Sequence, residues 1–165
     1  MTSLRLLPTS CLRFTLPHPL ALRRPPPIVY GLIADYRQGH PSILPPKYFR
    51  NLQVEEGGVG AGTRISFQMR LGKWWRLHAR VSEPEPGRWL CEIYPDTGMV
   101  TTFTVDPEEA GHSSRVTIAT QYTKTGLSGW LERWLIPGFL RQVFAAELRE
   151  LDVQARARTS GPASD

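Results

Sequence analysis

The feature that most constrains the fold is a pair of adjacent segments in which apolar and polar residues alternate strictly. In residues 64–71 the odd positions are apolar and the even positions are Arg, Ser or Gln, and residues 75–81 repeat the pattern. A period of two places successive side chains on opposite faces of a β-strand, so one face of this sheet is apolar and the other is wet. Residues 71–74, Leu-Gly-Lys-Trp, form the predicted hairpin turn.

Turn residues recur at hairpin spacing on both sides of these two segments. They predict further strands at residues 52–56, 89–94, 99–105 and 115–122, which together form a meandering antiparallel sheet. Before the sheet, the run from Pro25 to Pro27 predicts a helix that ends near Tyr36, followed by a turn or a short helical segment at residues 40–48.

After the last predicted strand the hydrophobic period changes from two to three and four. The residues with that spacing are Trp130, Leu131, Trp134, Leu135, Leu140, Val143, Phe144, Leu148 and Leu151. This spacing predicts a long amphipathic C-terminal helix, which Pro137 and Gly138 should kink or interrupt. Residues 157–165 are expected to be a disordered tail.

The size and composition of the chain exclude several classes of protein. At 165 residues and 41% hydrophobic residues, the chain is expected to be one globular domain without a transmembrane segment, because charged residues or helix breakers interrupt every apolar run. Its two cysteines, Cys11 and Cys91, build neither a disulfide framework nor a zinc site, and the four histidines are scattered. We therefore expect no metal and no cofactor.

The net charge of +5 is unevenly distributed along the sequence. Residues 1–24 contain four arginines and no acidic residue, while the rest of the chain carries 16 basic and 15 acidic residues. Because the folded part sums to near neutrality, we expect no nucleic-acid partner. Nine of the 15 prolines fall within residues 1–46. Residues 1–20 are therefore interpreted as a poorly ordered basic extension ahead of a domain at residues 21–156.

Four segments together resemble the START-like superfamily of polyketide cyclases, dehydrases and lipid-transfer proteins (SRPBCC). Residues 29–36, followed by His40-Pro41 and Leu44-Pro45, resemble its first helices. Residues 55–63 resemble its glycine-rich loop, residues 83–88 the turn before its fifth strand, and residues 126–151 its closing helix. The match covers residues 24–153 and departs from the family at the first strand, where Pro17 and Pro19 leave only short strands around residues 12–16 or 20–23.

The resemblance implies an α+β helix-grip fold, in which a curved antiparallel sheet of six or seven strands wraps around the long C-terminal helix, with short helices after the first strand. It also implies a deep apolar cavity between the sheet and that helix. The residues expected to line the cavity are Tyr36, Ile65, Phe67, Met69, Trp75, Leu77, Ile93, Phe103, Ile118, Tyr122, Trp134, Leu140, Val143 and Phe144. The same side chains could instead form a plain core.

Catalytic groups are less evident than the cavity. The candidates for acid–base chemistry are Asp35, His40, Tyr36 and Glu147. We interpret Asp35 as a structural residue that binds backbone N–H groups and His40 as a loop residue. Glu147 is expected to face solvent. The glycine-rich loop precedes a strand and lacks a phosphate-binding motif, so its glycines are expected to adopt positive φ.

Three functions remain open on this basis. The protein could be a carrier or sensor of a small hydrophobic molecule, such as a lipid, an isoprenoid or a polyketide-like compound. It could instead be an enzyme of the cyclase or aromatase type, or a stress-linked accessory protein. A carrier should have a nearly apolar cavity, an enzyme convergent polar side chains, and an accessory protein a pocket filled by side chains. We prefer the carrier, as a cytoplasmic monomer or weak homodimer.

Overall fold

The computed structural model describes the backbone of residues 11–15, 19–123 and 129–159, and the side chains of residues 19–121 and 137–158. The expected extension at residues 1–10 and the end of the expected tail, residues 160–165, lie outside the described residues. The elements in chain order are β1 (Cys11–Thr15), β2 (Leu20–Leu22), α1 (Pro26–Ala34), α2 (Gly39–Ile43), β3 (Phe49–Glu56), β4 (Arg64–Leu71), β5 (Lys73–Glu85), β6 (Trp89–Tyr94), β7 (Met99–Glu108), a 3-10 turn (Glu109–Gly111), β8 (Ser113–Thr123) and α3 (Gly129–Thr159).

The strands form a single curved antiparallel sheet. From β3 to β8 each strand pairs with the next one along the chain, and both β1 and β2 pair with β8. Antiparallel neighbours need only a few connecting residues, so alternating segments separated by short turns form a meander. The predicted α+β helix-grip architecture is confirmed.

The first strand is divided into two. Thr15 pairs with Ala119 and Leu20 pairs with Val116, so the chain advances by five residues from β1 to β2 and by three along β8. Pro17 and Pro19 fall between the two strands. Proline has no N–H to donate to a ladder, so it is best accommodated where the pairing is already interrupted. Both of the short strands considered from the sequence are therefore present, and β1 lies within the segment that was expected to be an extension.

The helices pack against the concave face of the sheet. α1 begins at Pro26, where the absent N–H removes no helical hydrogen bond, and its buried residues include Val29 and Ile33. α3 continues through Pro137, so the expected interruption is not observed. It also extends to Thr159, which makes residues 157–159 helical rather than part of a tail.

The glycine-rich loop is fixed against the end of α1. Gly57, Gly58, Gly60 and Gly62 all have positive φ, as expected from the sequence. The N–H of Tyr36 donates to the Gly58 carbonyl at 2.9 Å, and the N–H of Gly60 donates to Ala34 at 2.9 Å. The loop is thus held by backbone hydrogen bonds to the last residue of α1 and to the segment that follows it.

Candidate functional site

A cavity lies between the concave face of the sheet and α3. Its volume is about 30 Å³. The residues that line it are His40, Leu44, Phe49, Leu52, Ile65, Phe67, Met69, Leu77, Glu92, Tyr94, Met99, Thr101, Phe103, Thr120, Leu140, Phe144 and Glu147. The cavity is therefore smaller than the deep pocket expected from the sequence, and a few polar side chains are among the mainly apolar residues that line it.

Half of the predicted lining residues are where the sequence suggested. Those that line the cavity are Ile65, Phe67, Met69, Leu77, Phe103, Leu140 and Phe144. Tyr36, Ile118 and Val143 are buried but belong to the packed core beside it. The side chains of Tyr122 and Trp134 lie outside the described residues.

Two predicted lining residues are exposed instead. Ile93 is 42% exposed because the inward positions of β6 are Leu90, Glu92 and Tyr94, so Ile93 points to the opposite face. Trp75 follows the inward alternation of β5, but it stands beside the hairpin turn and is 49% exposed.

A buried carboxylate, Glu92, is the centre of a polar cluster on the sheet side of the cavity. The Tyr36 hydroxyl donates to its Oε1 at 2.6 Å, and the Tyr94 hydroxyl donates to its Oε2. Burial and the neighbouring Glu92 raise the pKa of both phenols well above the ordinary value. The two tyrosines therefore remain neutral donors, and they supply the hydrogen bonds that a buried carboxylate needs.

His40 is the third partner of Glu92 and is a buried residue of α2, not the loop residue expected from the sequence. Its Nδ1 lies 2.7 Å from the Ile33 carbonyl, which can only accept, so Nδ1 carries a proton. Its Nε2 lies 3.4 Å from Glu92 Oε1. The ring stacks on Tyr36 with a centroid separation of 4.4 Å. These contacts fix the ring with Nε2 toward the carboxylate.

Glu147 faces the cluster from α3. Its side chain is buried, and its Oε1 has no hydrogen-bond partner among the described residues. Burial, and then the charge of Glu92, raise the pKa of Glu147 well above the ordinary value. The expectation that Glu147 faces solvent is wrong. Its surroundings favour the neutral, protonated form, which lines the cavity and can donate a hydrogen bond.

The other polar residues at the site have structural partners. Thr101 and Thr120 are cross-strand neighbours whose hydroxyl oxygens are 3.0 Å apart. Asp35 does not line the cavity: its Oδ1 accepts from the N–H groups of Arg37 at 3.0 Å and Gln38 at 3.2 Å. This is the structural role that the sequence suggested for Asp35.

Sequence reasoning missed Glu92, and it named Glu147 as an acid–base candidate but expected it to face solvent. Spacing places both residues on the inner face. Glu92 stands two residues from Leu90 and from Tyr94, so it shares their face of β6. Glu147 follows Val143 by four residues and Phe144 by three, so it completes the apolar stripe of α3. A charged residue is usually exposed, but at these two positions the periodicity of the element is the better guide.

The described residues hold neither a metal cluster nor a membrane-spanning helix. No three His, Cys, Asp or Glu side chains in the described parts of the chain are grouped closely enough to hold a metal ion. Among the helices described, none is both long and apolar enough to cross a membrane. The polar side chains that line the cavity carry carboxyl, imidazole and hydroxyl groups.

Comparison with known proteins agrees with this architecture. The profile of the family described as polyketide cyclase / dehydrase and lipid transport matches residues 20–156. The chain belongs to this family. This match confirms the resemblance seen in the sequence. No curated protein matches the chain.

Solved structures show the same fold at low sequence identity. The KanY protein, solved in solution by NMR, is 25% identical with a TM-score of 0.73 over 91% of this chain and 99% of its own. The Zhui aromatase/cyclase from Streptomyces sp. R1128 is 18% identical with a TM-score of 0.65 over 92% and 97% of the two chains. Norcoclaurine synthase from Thalictrum flavum is 17% identical with a TM-score of 0.68 over 94% and 100%.

Proposed function

We propose that this protein binds a small, mainly apolar molecule that bears a carbonyl or hydroxyl oxygen, and that it transfers protons to and from that molecule as a cyclase or dehydrase does. The observation that carries this proposal is Glu147, a buried acid with a raised pKa and an unpartnered oxygen in the cavity wall. An unpaired buried polar group is costly, and a ligand oxygen would remove that cost.

The two sides of the cavity divide the chemistry. Glu147 donates its proton to a ligand carbonyl oxygen, and the pair of Glu92 and His40 accepts a proton from the adjacent carbon. The carbonyl gains one proton, the carbon loses one, and the product is an enol. Ring closure by carbon–carbon bond formation and loss of water both use such paired transfers, and positioned acid–base groups accelerate them.

The size of the cavity limits what it accepts in the conformation described. A volume of about 30 Å³ is enough for one or two water molecules. A polyketide-like ligand therefore requires side chains to rearrange or α3 to move away from the sheet. Met69 and Met99 line the cavity, and methionine adapts its shape more readily than branched side chains do.

A carrier or sensor without a reaction is the second candidate. It is favoured by the mutual hydrogen bonding of Glu92, Tyr36 and Tyr94, since a fixed network leaves few groups free for catalysis. The family description includes lipid transport as well as cyclase and dehydrase activity. The two candidates differ in whether a bound ketone exchanges protons.

The test uses two probes of matched size, acetylnaphthalene and ethylnaphthalene, with native mass spectrometry of the freshly purified protein to reveal any retained ligand. We expect the ketone to bind about tenfold more tightly, the upper range for one hydrogen bond. Glu147→Leu should remove this preference, and Glu83→Gln, a glutamate outside the cavity, should retain it. In deuterium oxide the protein should exchange the acetyl methyl hydrogens about 100-fold faster than Glu147→Gln does.

Each outcome distinguishes the candidates. A preference for the ketone without hydrogen exchange would support the carrier. Equal affinity for the two probes would contradict the role of Glu147. If no retained ligand and no probe binding were found, the cavity would be part of the core, as the accessory-protein interpretation predicts.

A further inference from the structure

The hairpin that joins β4 to β5 carries a concentration of positive charge that the whole-chain sum conceals. Residues 57–82 contain five basic residues and no acidic residue, namely Arg64, Arg70, Lys73, Arg76 and Arg80. Arg64 pairs with Glu56 at 3.1 Å. In the described parts of the chain, no carboxylate lies within salt-bridge distance of the other four. The near neutrality of the folded part is thus an average over a basic hairpin and acidic segments elsewhere.

The end of this hairpin, which we call the hairpin tip (residues 70–76), also exposes large apolar side chains. Leu71 is 43% exposed and Trp75 is 49% exposed. Lys73 lies between them in sequence, with its Nζ 4.2 Å from the centroid of the Trp75 ring. Adjoining exposed apolar groups with a polar rim are characteristic of surfaces that contact a protein or a membrane.

We propose that the hairpin tip docks on membranes that contain anionic lipids. Tryptophan prefers the boundary between headgroups and acyl chains, and Lys and Arg near that boundary interact with anionic headgroups. Leu71 and Trp75 would enter the boundary layer, while Arg70, Lys73 and Arg76 would contact lipid phosphates and carboxylates. This combination of apolar and electrostatic attraction is the one that peripheral anchors use.

The side chains favour a lipid surface over a nucleic acid. The guanidinium of Arg50 covers the Trp74 ring at 4.0 Å from its centroid, and Lys73 approaches Trp75, so the indole faces that bases would stack on are partly occupied. An exposed leucine at the tip adds nothing to phosphate or base recognition. In a bilayer the same leucine would be transferred out of water.

The position of the tip relates docking to the cavity without depending on the proposed reaction. Met69 and Leu77, the residues immediately outside the tip on the two strands, both line the cavity. Met69 also pairs with Trp75 across the hairpin. Docking at the tip would therefore place this end of the cavity next to the bilayer.

The experiment measures co-sedimentation of the full-length protein with phosphatidylcholine vesicles, with and without phosphatidylserine. We expect binding that requires phosphatidylserine and weakens with added salt. Lys73→Gln combined with Arg76→Gln should reduce the partition coefficient roughly 30-fold, since each basic side chain near the surface contributes about fivefold. Leu71→Ser combined with Trp75→Ser should also reduce it, with an unchanged thermal midpoint because both side chains are exposed.

Two matched variants serve as controls. Trp89 is exposed to a similar extent, 42%, but lies on β6, so Trp89→Ser should bind vesicles normally. Arg5→Gln combined with Arg13→Gln removes two charges from the basic N-terminal segment and should also have no effect.

Several results would overturn the proposal. They are an absence of binding to phosphatidylserine vesicles, binding that survives both tip variants, and binding that the N-terminal variant abolishes. Tighter binding of a short RNA or of an acidic protein, with the same dependence on Lys73 and Arg76, would instead assign the tip to that class of partner.

Discussion

Glu83 and Glu92 each accept a hydrogen bond from a tyrosine, yet their surroundings differ in what they leave available. Glu83 accepts from the Tyr30 hydroxyl through Oε1 and from the Ala61 N–H at 2.7 Å through Oε2. Both partners are structural, and they hold the glycine-rich loop against α1. Glu92 accepts from Tyr36 and Tyr94, but it also lines a cavity and faces a second buried acid, Glu147. Hydrogen bonding to a tyrosine therefore does not by itself indicate a functional carboxylate. Glu92 differs from Glu83 because it lines a cavity and faces an acid without a hydrogen-bond partner.

The largest expected effect comes from removing Glu92. Glu92→Leu leaves two buried phenols and the His40 ring without their common acceptor, so we expect a loss of about 3–5 kcal/mol in the free energy of unfolding. Urea denaturation measures this change. Glu83→Leu is the matched variant and should cost about 1–2 kcal/mol, since its carboxylate is only partly buried and the freed groups can reach water. Equal losses would show that the two clusters do not differ as described.

A smaller effect tests the loop side of the comparison. Gly60 has a φ of +62°, and a Cβ there would collide with the Glu83 carboxylate. Gly60→Ala should therefore cost about 2 kcal/mol, from the left-handed conformation and the disturbed hydrogen bond to Ala61. Gly62 has a φ of +83° with no atom near the added Cβ, so Gly62→Ala should cost only about 1 kcal/mol. Thermal unfolding of the two variants would separate the cost of the collision with Glu83 from the cost of the backbone conformation. Identical losses of stability would show that Glu83 does not contribute to the cost of Gly60→Ala.

The structure of a segment is predicted correctly from the sequence where its hydrophobic residues recur with a regular period, and less well where they do not. In the hairpin of β4 and β5, residues 64–71 and 75–81 alternate without exception, and both segments form strands as predicted. The turn is tighter than the one predicted at residues 71–74, because Lys73 and Trp74 already belong to β5 and Leu71 pairs with Lys73. In β6, Cys91 and Ile93 are apolar on the outer face while Glu92 is charged on the inner face, so hydrophobicity alone selects the wrong residue. Periodicity predicts which face a residue occupies, and chemistry alone does not.

The other features that the sequence analysis did not predict depend on residues far apart in the sequence or on how charge is distributed along it. The cavity volume depends on how side chains from β4, β6 and α3 meet, and strands and helices can be predicted correctly without determining it. The unpartnered oxygen of Glu147 depends on the same packing. The charge of the hairpin was present in the sequence, but a sum over the whole folded part averaged it against acidic segments.

The pH dependence of stability tests the cavity side of the comparison, with an expected effect of about 1.4 kcal/mol for each pH unit. Burial and Glu92 raise the pKa of Glu147 in the folded state, so the folded protein binds this proton more tightly than the unfolded chain does. The stabilisation is complete below the pKa of an unfolded glutamate, about 4.3, and it decreases as the pH rises toward the folded-state pKa. Glu147→Gln should remove this decrease while leaving other titrations in place.

The measurement compares the free energies of unfolding of the wild type and Glu147→Gln between about pH 2 and pH 8, by urea denaturation at each pH. Asp96 provides a control of opposite sign, since its hydrogen bond with His78 lowers its pKa. Its stabilisation is present at neutral pH and is lost as the pH falls through its folded-state pKa. Asp96→Asn should therefore lower the stability in the neutral range, and its difference from the wild type should shrink at the acidic end of the curve. If the difference between wild type and Glu147→Gln stays constant with pH, Glu147 is ionised in the folded protein. It could then not donate a proton to a ligand oxygen, and the cavity would resemble the Glu83 cluster in having no group free for chemistry.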